Sequence, residues 1–198
     1  MNFAPPAILL ACIASFALAG CASQPRSFLA ASIPKVAYHD LERSGNPLRL
    51  KLVVEFQRNG KHFPRGDVPL KDYANSILRN TAAIIIIAAD QVDEGEIRVV
   101  VNNVADSGSV AAETARTALP LWVRGKTITD LYEMSMFITA RGRSVSRTGI
   151  KHAFHTAIGN MDVPENIEVF PSDQAFGKML EQMILRTLQD VQQSGELT

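Results

Sequence analysis

The sequence predicts an α+β fold: a mainly antiparallel sheet with two helices packed on one face. Three observations predict it. The stretches 48–58, 128–140 and 150–159 alternate apolar and polar residues with period two, as half-buried strands do. The stretches 69–80 and 172–191 repeat apolar residues at helical spacing. Strand signals follow one another directly after the first helix, which suits hairpins rather than a repeating strand–helix order.

The N-terminus carries an address. Ala7 to Ala19 is almost wholly apolar, too short for a spanning helix and the right size for the core of a secretory signal. Small residues follow it, ending in Leu18-Ala19-Gly20-Cys21. That tetrad resembles the lipobox that signal peptidase II cuts in bacterial lipoproteins. The resemblance implies a diacylglyceryl group on the Cys21 thiol, cleavage before Cys21 and acylation of the new amine. One acyl chain holds a protein to a bilayer marginally and two hold it stably, so the modified Cys21 suffices as an anchor. Ala22, rather than Asp, follows the cysteine, and in that family this resembles outer-membrane cargo.

The organisation that follows is 1–20 signal peptide, 21–46 lipidated tether and 47–198 one α+β domain. Pro25, Pro34 and many small residues suit a tether, and the cluster Arg43 to Pro47 closes it with a turn. Cys12 lies in the signal, so the mature chain keeps only Cys21 and has no internal disulfide or cysteine metal site. Lys plus Arg equal Asp plus Glu at 20 each, so no global field attracts nucleic acid.

Leu48 to Arg58 predicts the first strand, with Leu48, Leu50, Leu52, Val54 and Phe56 on one face. Asn59-Gly60 supplies turn chemistry. Pro69 to Asn80 predicts a helix opened by Pro69, with Leu70, Tyr73, Ala74, Ile77 and Leu78 as its apolar stripe. The β-branched run within Ala82 to Ala89 predicts a buried strand, and Glu94 to Asp106 another. Ser107 to Lys126 reads as a long loop, a feature often tied to function. Ile128 to Ala140 and Ile150 to Gly159 predict a hairpin turning through Arg141 to Gly149. Ser172 or Asp173 caps a last helix carrying Phe176, Met179, Leu180, Met183, Ile184, Leu188 and Val191. Behind a lipobox, this order is similar to small periplasm-facing lipoproteins such as the lipopolysaccharide-assembly lipoprotein. That similarity carries over no functional residue.

Candidate chemistry is sparse. His152 and His155 stand three apart on a strand and point to opposite faces, so they do not share a metal; both read as sheet-surface residues. The acids of Asp90 to Glu96 lack the spacing of a calcium loop and read as a solvated turn. No serine sits in a nucleophile elbow. Arg141, Arg143 and Arg147 read as one cationic hairpin tip whose guanidinium forks suit phosphate oxygens. Leu121 and Trp122 supply apolar contact area of the kind that anchors interfaces.

These readings lead to a membrane-anchored lipoprotein of the outer membrane, facing the periplasm. It is expected to be non-enzymatic and without cofactor or metal, a partner-binding or envelope-assembly module. Its carriers are Cys21 as anchor, Trp122 and Leu121 as apolar contact, and Arg141, Arg143 and Arg147 as polar contact. Its partners are the membrane, through lipid on Cys21, and an envelope protein or lipid. The alternative is a lipid or lipopolysaccharide carrier, with Met134, Met136 and the Met-rich last helix lining a pocket.

Overall fold

The computed structural model describes residues 25–88, 90–104, 125–159 and 161–196. Over these described residues it is an α+β fold with two α-helices and a large, mostly antiparallel mixed sheet. The strands are β1 (Arg26–Leu29), β2 (Leu48–Arg58), β3 (Lys61–His62), β4 (Ile84–Ile86), β5 (Gly95–Val104), β6 (Lys126–Ala140), β7 (Arg143–Ile158) and β8 (Phe170–Pro171). The helices are α1 (Asp67–Arg79) and α2 (Ser172–Ser194). Among the described residues the sheet order is β3-β2-β5-β6-β7-β1-β8, with β4 paired to β2.

The alternation at 48–58 makes β2 a strand, and α1 carries the chain from it to β4 and β5. Both therefore pair with β2 in parallel, Leu48 opposite Ile84 and Leu52 opposite Ile97. Pro69 is the third residue of α1 rather than the first; the helix opens two residues earlier, where the Asp67 carboxylate accepts the Phe56 N–H at 2.7 Å. β4 is shorter than the apolar run predicts, and its Ile85 is exposed. Glycine is required at the start of β5. Gly95 has φ 153°, and a Cβ there would lie 1.8 Å from the Thr139 carbonyl oxygen.

The expected tether is folded from Arg26 onward. β1 pairs with β7, Phe28 opposite His155, and Ser27 shares a buried hydrogen bond of 2.8 Å with Thr156. Val36 and Leu41 are buried, and the Gln182 side chain grips the Val36 backbone both ways, at 2.8 and 3.1 Å. Small residues and prolines masked this segment in the sequence, because its order comes from partners more than 120 residues away.

The hairpin also differs from expectation. Its turn is only Arg141 and Gly142, with φ 51° and 78°, the conformation that matches the twist of two adjoining strands. β7 therefore begins at Arg143, and Arg147 lies within the strand rather than on a tip. Met134 faces Ile150 but Met136 faces Arg147, so Thr148 and Gly149 together oppose Ser135. This bulge, with Gly149 at φ 68°, shifts the alternation by one residue and hides the first half of β7 from a period-two reading.

The core joins alternate residues of β2, β5 and β6 to both helices: Leu50, Ile97, Val99, Met134, Met136 and Ile138 meet Leu70 and Leu78 of α1 and Met179, Leu180 and Met183 of α2. The methionines expected to line a pocket are buried within this core. Phe176 meets Phe56, Tyr73 and Tyr132 at ring-centroid distances of 6.0, 5.7 and 5.5 Å. α1 and α2 approach closely at Gly177, where a Cβ would stand 2.6 Å from the Tyr73 ring.

Candidate functional site

β7 continues past the end of β1, and the chain then crosses beside it as the segment Leu29 to Lys35. Ala30 donates its N–H to the Ala153 carbonyl at 3.2 Å, which fixes one end of the segment. Gln182 fixes the other end through Val36. Between this segment, β7, residues 166–170 and α2 lies a cleft of about 250 Å³. Lys35 and Glu168 form an ion pair of 2.9 Å between two of its walls.

His152 is the buried polar side chain of the cleft, with 6% of its surface exposed. Its alternation partners Ile150 and Phe154 face the core, so His152 does too; the apolar residues at 150 and 154 were the signal in the sequence. The expectation of a surface histidine is thereby corrected. His155 points to the other face, where its Nδ1 bonds the Thr129 hydroxyl at 2.8 Å and its ring meets Phe28 at 5.1 Å.

The His152 Nδ1 lies 2.8 Å from the Ala153 nitrogen and 3.0 Å from the Ala153 carbonyl oxygen. That carbonyl already accepts from Ala30, whereas the Ala153 N–H has Nδ1 as its acceptor on that side. A buried N–H without a partner is costly, so Nδ1 accepts and the ring proton sits on Nε2. Burial holds the His152 pKa below the ordinary histidine range, and the Arg186 charge lowers it further.

A second pocket of about 310 Å³ is bordered by Ile33, Val104, Leu131, Glu133, Lys151 and Ala153, and His152 lines it as well as the cleft.

The sequence-predicted contacts are not brought together. Cys21, Leu121 and Trp122 lie outside the described residues. Arg141 gives its Nε–H and Nη2 to the Glu94 carboxylate at 2.8 and 2.7 Å. Arg143 is exposed at the start of β7. Arg147 reaches Asp190 and, at 2.9 Å, Glu196 at the end of α2. The acidic stretch is ion-paired in part: Glu94 with Arg141, and Asp93 with Lys51 at 2.5 Å. Accepting the Arg49 N–H, and then the Arg141 bonds, holds the Glu94 pKa below the usual carboxylate range. Among the described residues no three His, Cys, Asp or Glu side chains are placed to hold one metal ion. No described helix is long and apolar enough to cross a membrane.

No protein-family model matches the chain, and no curated protein matches it. Among solved structures, the chain is similar to a PelC dodecamer from Paraburkholderia phytofirmans. That likeness has 12% identity, covers 84% of this chain and 98% of the other, and has a TM-score of 0.31. At that score the likeness carries no argument about function or assembly.

Proposed function

We propose that the chain is a lipid-anchored lipoprotein of the outer membrane, facing the periplasm, whose domain is a non-enzymatic binding or envelope-assembly module. The observation that carries this reading is the Leu18-Ala19-Gly20-Cys21 tetrad directly after the apolar run. β1 begins at Arg26, five residues beyond Cys21, and five extended residues span at most about 17 Å. Lipid on Cys21 would therefore hold the folded domain close to the bilayer and concentrate it for partners there. Both helices cover one face of the sheet in this reading. The other face, with Val53, Leu131 and Phe137 exposed, is left for contact. Leu121 and Trp122 supply apolar contact and Arg141, Arg143 and Arg147 polar contact in this reading, with Arg141 also paired to Glu94 and Arg147 to Asp190 and Glu196.

A second reading, a lipid carrier, is favoured by the apolar pocket at Ile33, Val104, Leu131 and Ala153. Crosslinking a C-terminally tagged chain in membranes, with Cys21→Ala beside it, separates the two. A reproducible envelope protein that disappears in Cys21→Ala supports the binding module. Lipid co-eluting from the purified domain with no such protein supports the carrier.

A further inference from the structure

We propose that the pocket at Leu131 and Ala153 binds a free α-amino acid with an apolar side chain, its ammonium on Glu133 and its carboxylate on Lys151.

Strand register builds the site. Val104 stands opposite Leu131, Leu131 opposite Ala153, and Glu133 opposite Lys151. Alternation puts these five on one face of the sheet, because Met134 and Phe154 of the same strands enter the core from the other. All five border the pocket. Ile33 completes it: Ala30 is bonded to Ala153, and the Ile33 N–H donates back to the Ala30 carbonyl at 3.4 Å, a turn that brings Ile33 to the same place.

Two features there point to a ligand. The first is apolar surface left open beside a concavity. Leu131 is 43% exposed and Val104 37%. The second is a pair of charges without partners. Glu133 and Lys151 are of opposite sign and directly opposed, so their Cβ atoms stand about 5 Å apart. Even so, neither side chain has an ion pair or hydrogen bond among the described residues. Other charges of the sheet are matched: Glu55 meets Arg98 at 2.7 Å, and Glu94 meets Arg141 at 2.7 Å.

An anion and a cation at one apolar pocket fit a molecule that carries both charges on an apolar body. A fatty acid pairs with Lys151 but sets its carboxylate beside Glu133, and an alkylamine does the reverse. An uncharged apolar molecule meets neither charge. A volume of about 310 Å³ suits an amino-acid side chain rather than the paired acyl chains of a membrane lipid. The proposal rests on the pocket that favours the carrier reading but fills it with a smaller ligand. Lipid co-elution and amino-acid binding are therefore separate results.

The test is a titration of the full-length chain with leucine, read by NMR at the amides of Leu131 and Ala153. The amides of Val53 and Phe137, on the same sheet face but away from the pocket, serve as references. Two analogues divide the recognition: 4-methylpentanoate lacks the ammonium, and 3-methylbutylamine lacks the carboxylate. A saturable shift with leucine is expected, with each analogue weaker by roughly threefold or more and glycine without effect. In Glu133→Gln leucine should bind no better than 4-methylpentanoate, because nothing then meets the ammonium. In Lys151→Gln it should bind no better than 3-methylbutylamine. Glu133 is half-buried and Lys151 exposed, so both changes spare the core, and the thermal unfolding midpoint of each variant checks this. Absence of a saturable shift, which is the result if Glu133 and Lys151 pair with each other in solution, would overturn the proposal. So would equal response to leucine and both analogues, or unchanged discrimination in the two variants. Tighter binding of dihexanoylphosphatidylethanolamine than of leucine would overturn it as well and return the pocket to a lipid.

Discussion

The Arg147 guanidinium on β7 is clamped by Asp190 near the end of α2, and its Nη1 donates to Glu196 at 2.9 Å. A third donor reaches the Ser194 hydroxyl at 3.3 Å. The bulge at Thr148 and Gly149 makes this possible, because it places Arg147 opposite Met136, whose side chain is buried in the core. Arg147→Ala should fray the last turns of α2. Amides of residues 190–195 are expected to exchange several-fold faster, with those of Leu180 to Ile184 unchanged. Arg147→Lys should recover only part of the protection, since one ammonium lacks the fork that meets two carboxylates at once.

Gly95→Ala tests the tightest point of the sheet. Its Cβ would meet the Thr139 carbonyl at 1.8 Å, and backbone cannot swing aside as a side chain can. A loss of about 3 kcal/mol or more is expected in urea unfolding. Unfolding with unchanged midpoint would show that β5 and β6 do not pair as described.

Gly177→Ala meets a side chain instead, the Tyr73 ring at 2.6 Å. It should cost about 1 kcal/mol alone. In a Tyr73→Ala background the same change should be close to neutral, because the neighbour that it strikes is gone. The double-mutant cycle measures the coupling across α1 and α2.

Two aspartates should respond to pH with opposite sign. The Asp67 pKa is held below the usual carboxylate range, first by the Phe56 N–H and then by the His62 bond. Its contribution is complete above the unfolded value near 3.8 and is lost as pH falls through the lower folded value. Asp67→Ala should therefore destabilise at neutral pH, and the difference should close in acid. Burial instead pushes the Asp130 pKa up. Its charged form is penalised in the fold, so Asp130→Asn should stabilise above the folded pKa. That gain should vanish as pH falls below the ordinary aspartate value of 3.8. Midpoints of thermal unfolding between pH 3 and pH 7 check both directions.

These elements show where sequence periodicity speaks and where it stops. The strand at Leu48 to Arg58 and both helices were legible because each presents one apolar face to one core. β1 was not, because its ordering residue is Ser27, a polar side chain satisfied by Thr156 far along the chain. The first half of β7 was not, because a single bulge inverts its faces. Parallel pairing of β2 with β5 is set by the α1 crossover, which alternation within either strand does not encode. The His152 cleft was half legible. Ile150 and Phe154 place the imidazole inward, but the wall that makes it a cleft comes from the segment read as a tether.

The most direct test of the central claim is the mass of the N-terminal peptide from membrane-purified mature protein. The lipoprotein reading predicts a chain that begins at Cys21 and carries a diacylglyceryl thioether and an acylated amine, with Cys21→Ala leaving the signal uncut. An unmodified Cys21, or a mature chain starting at any other residue, would contradict it.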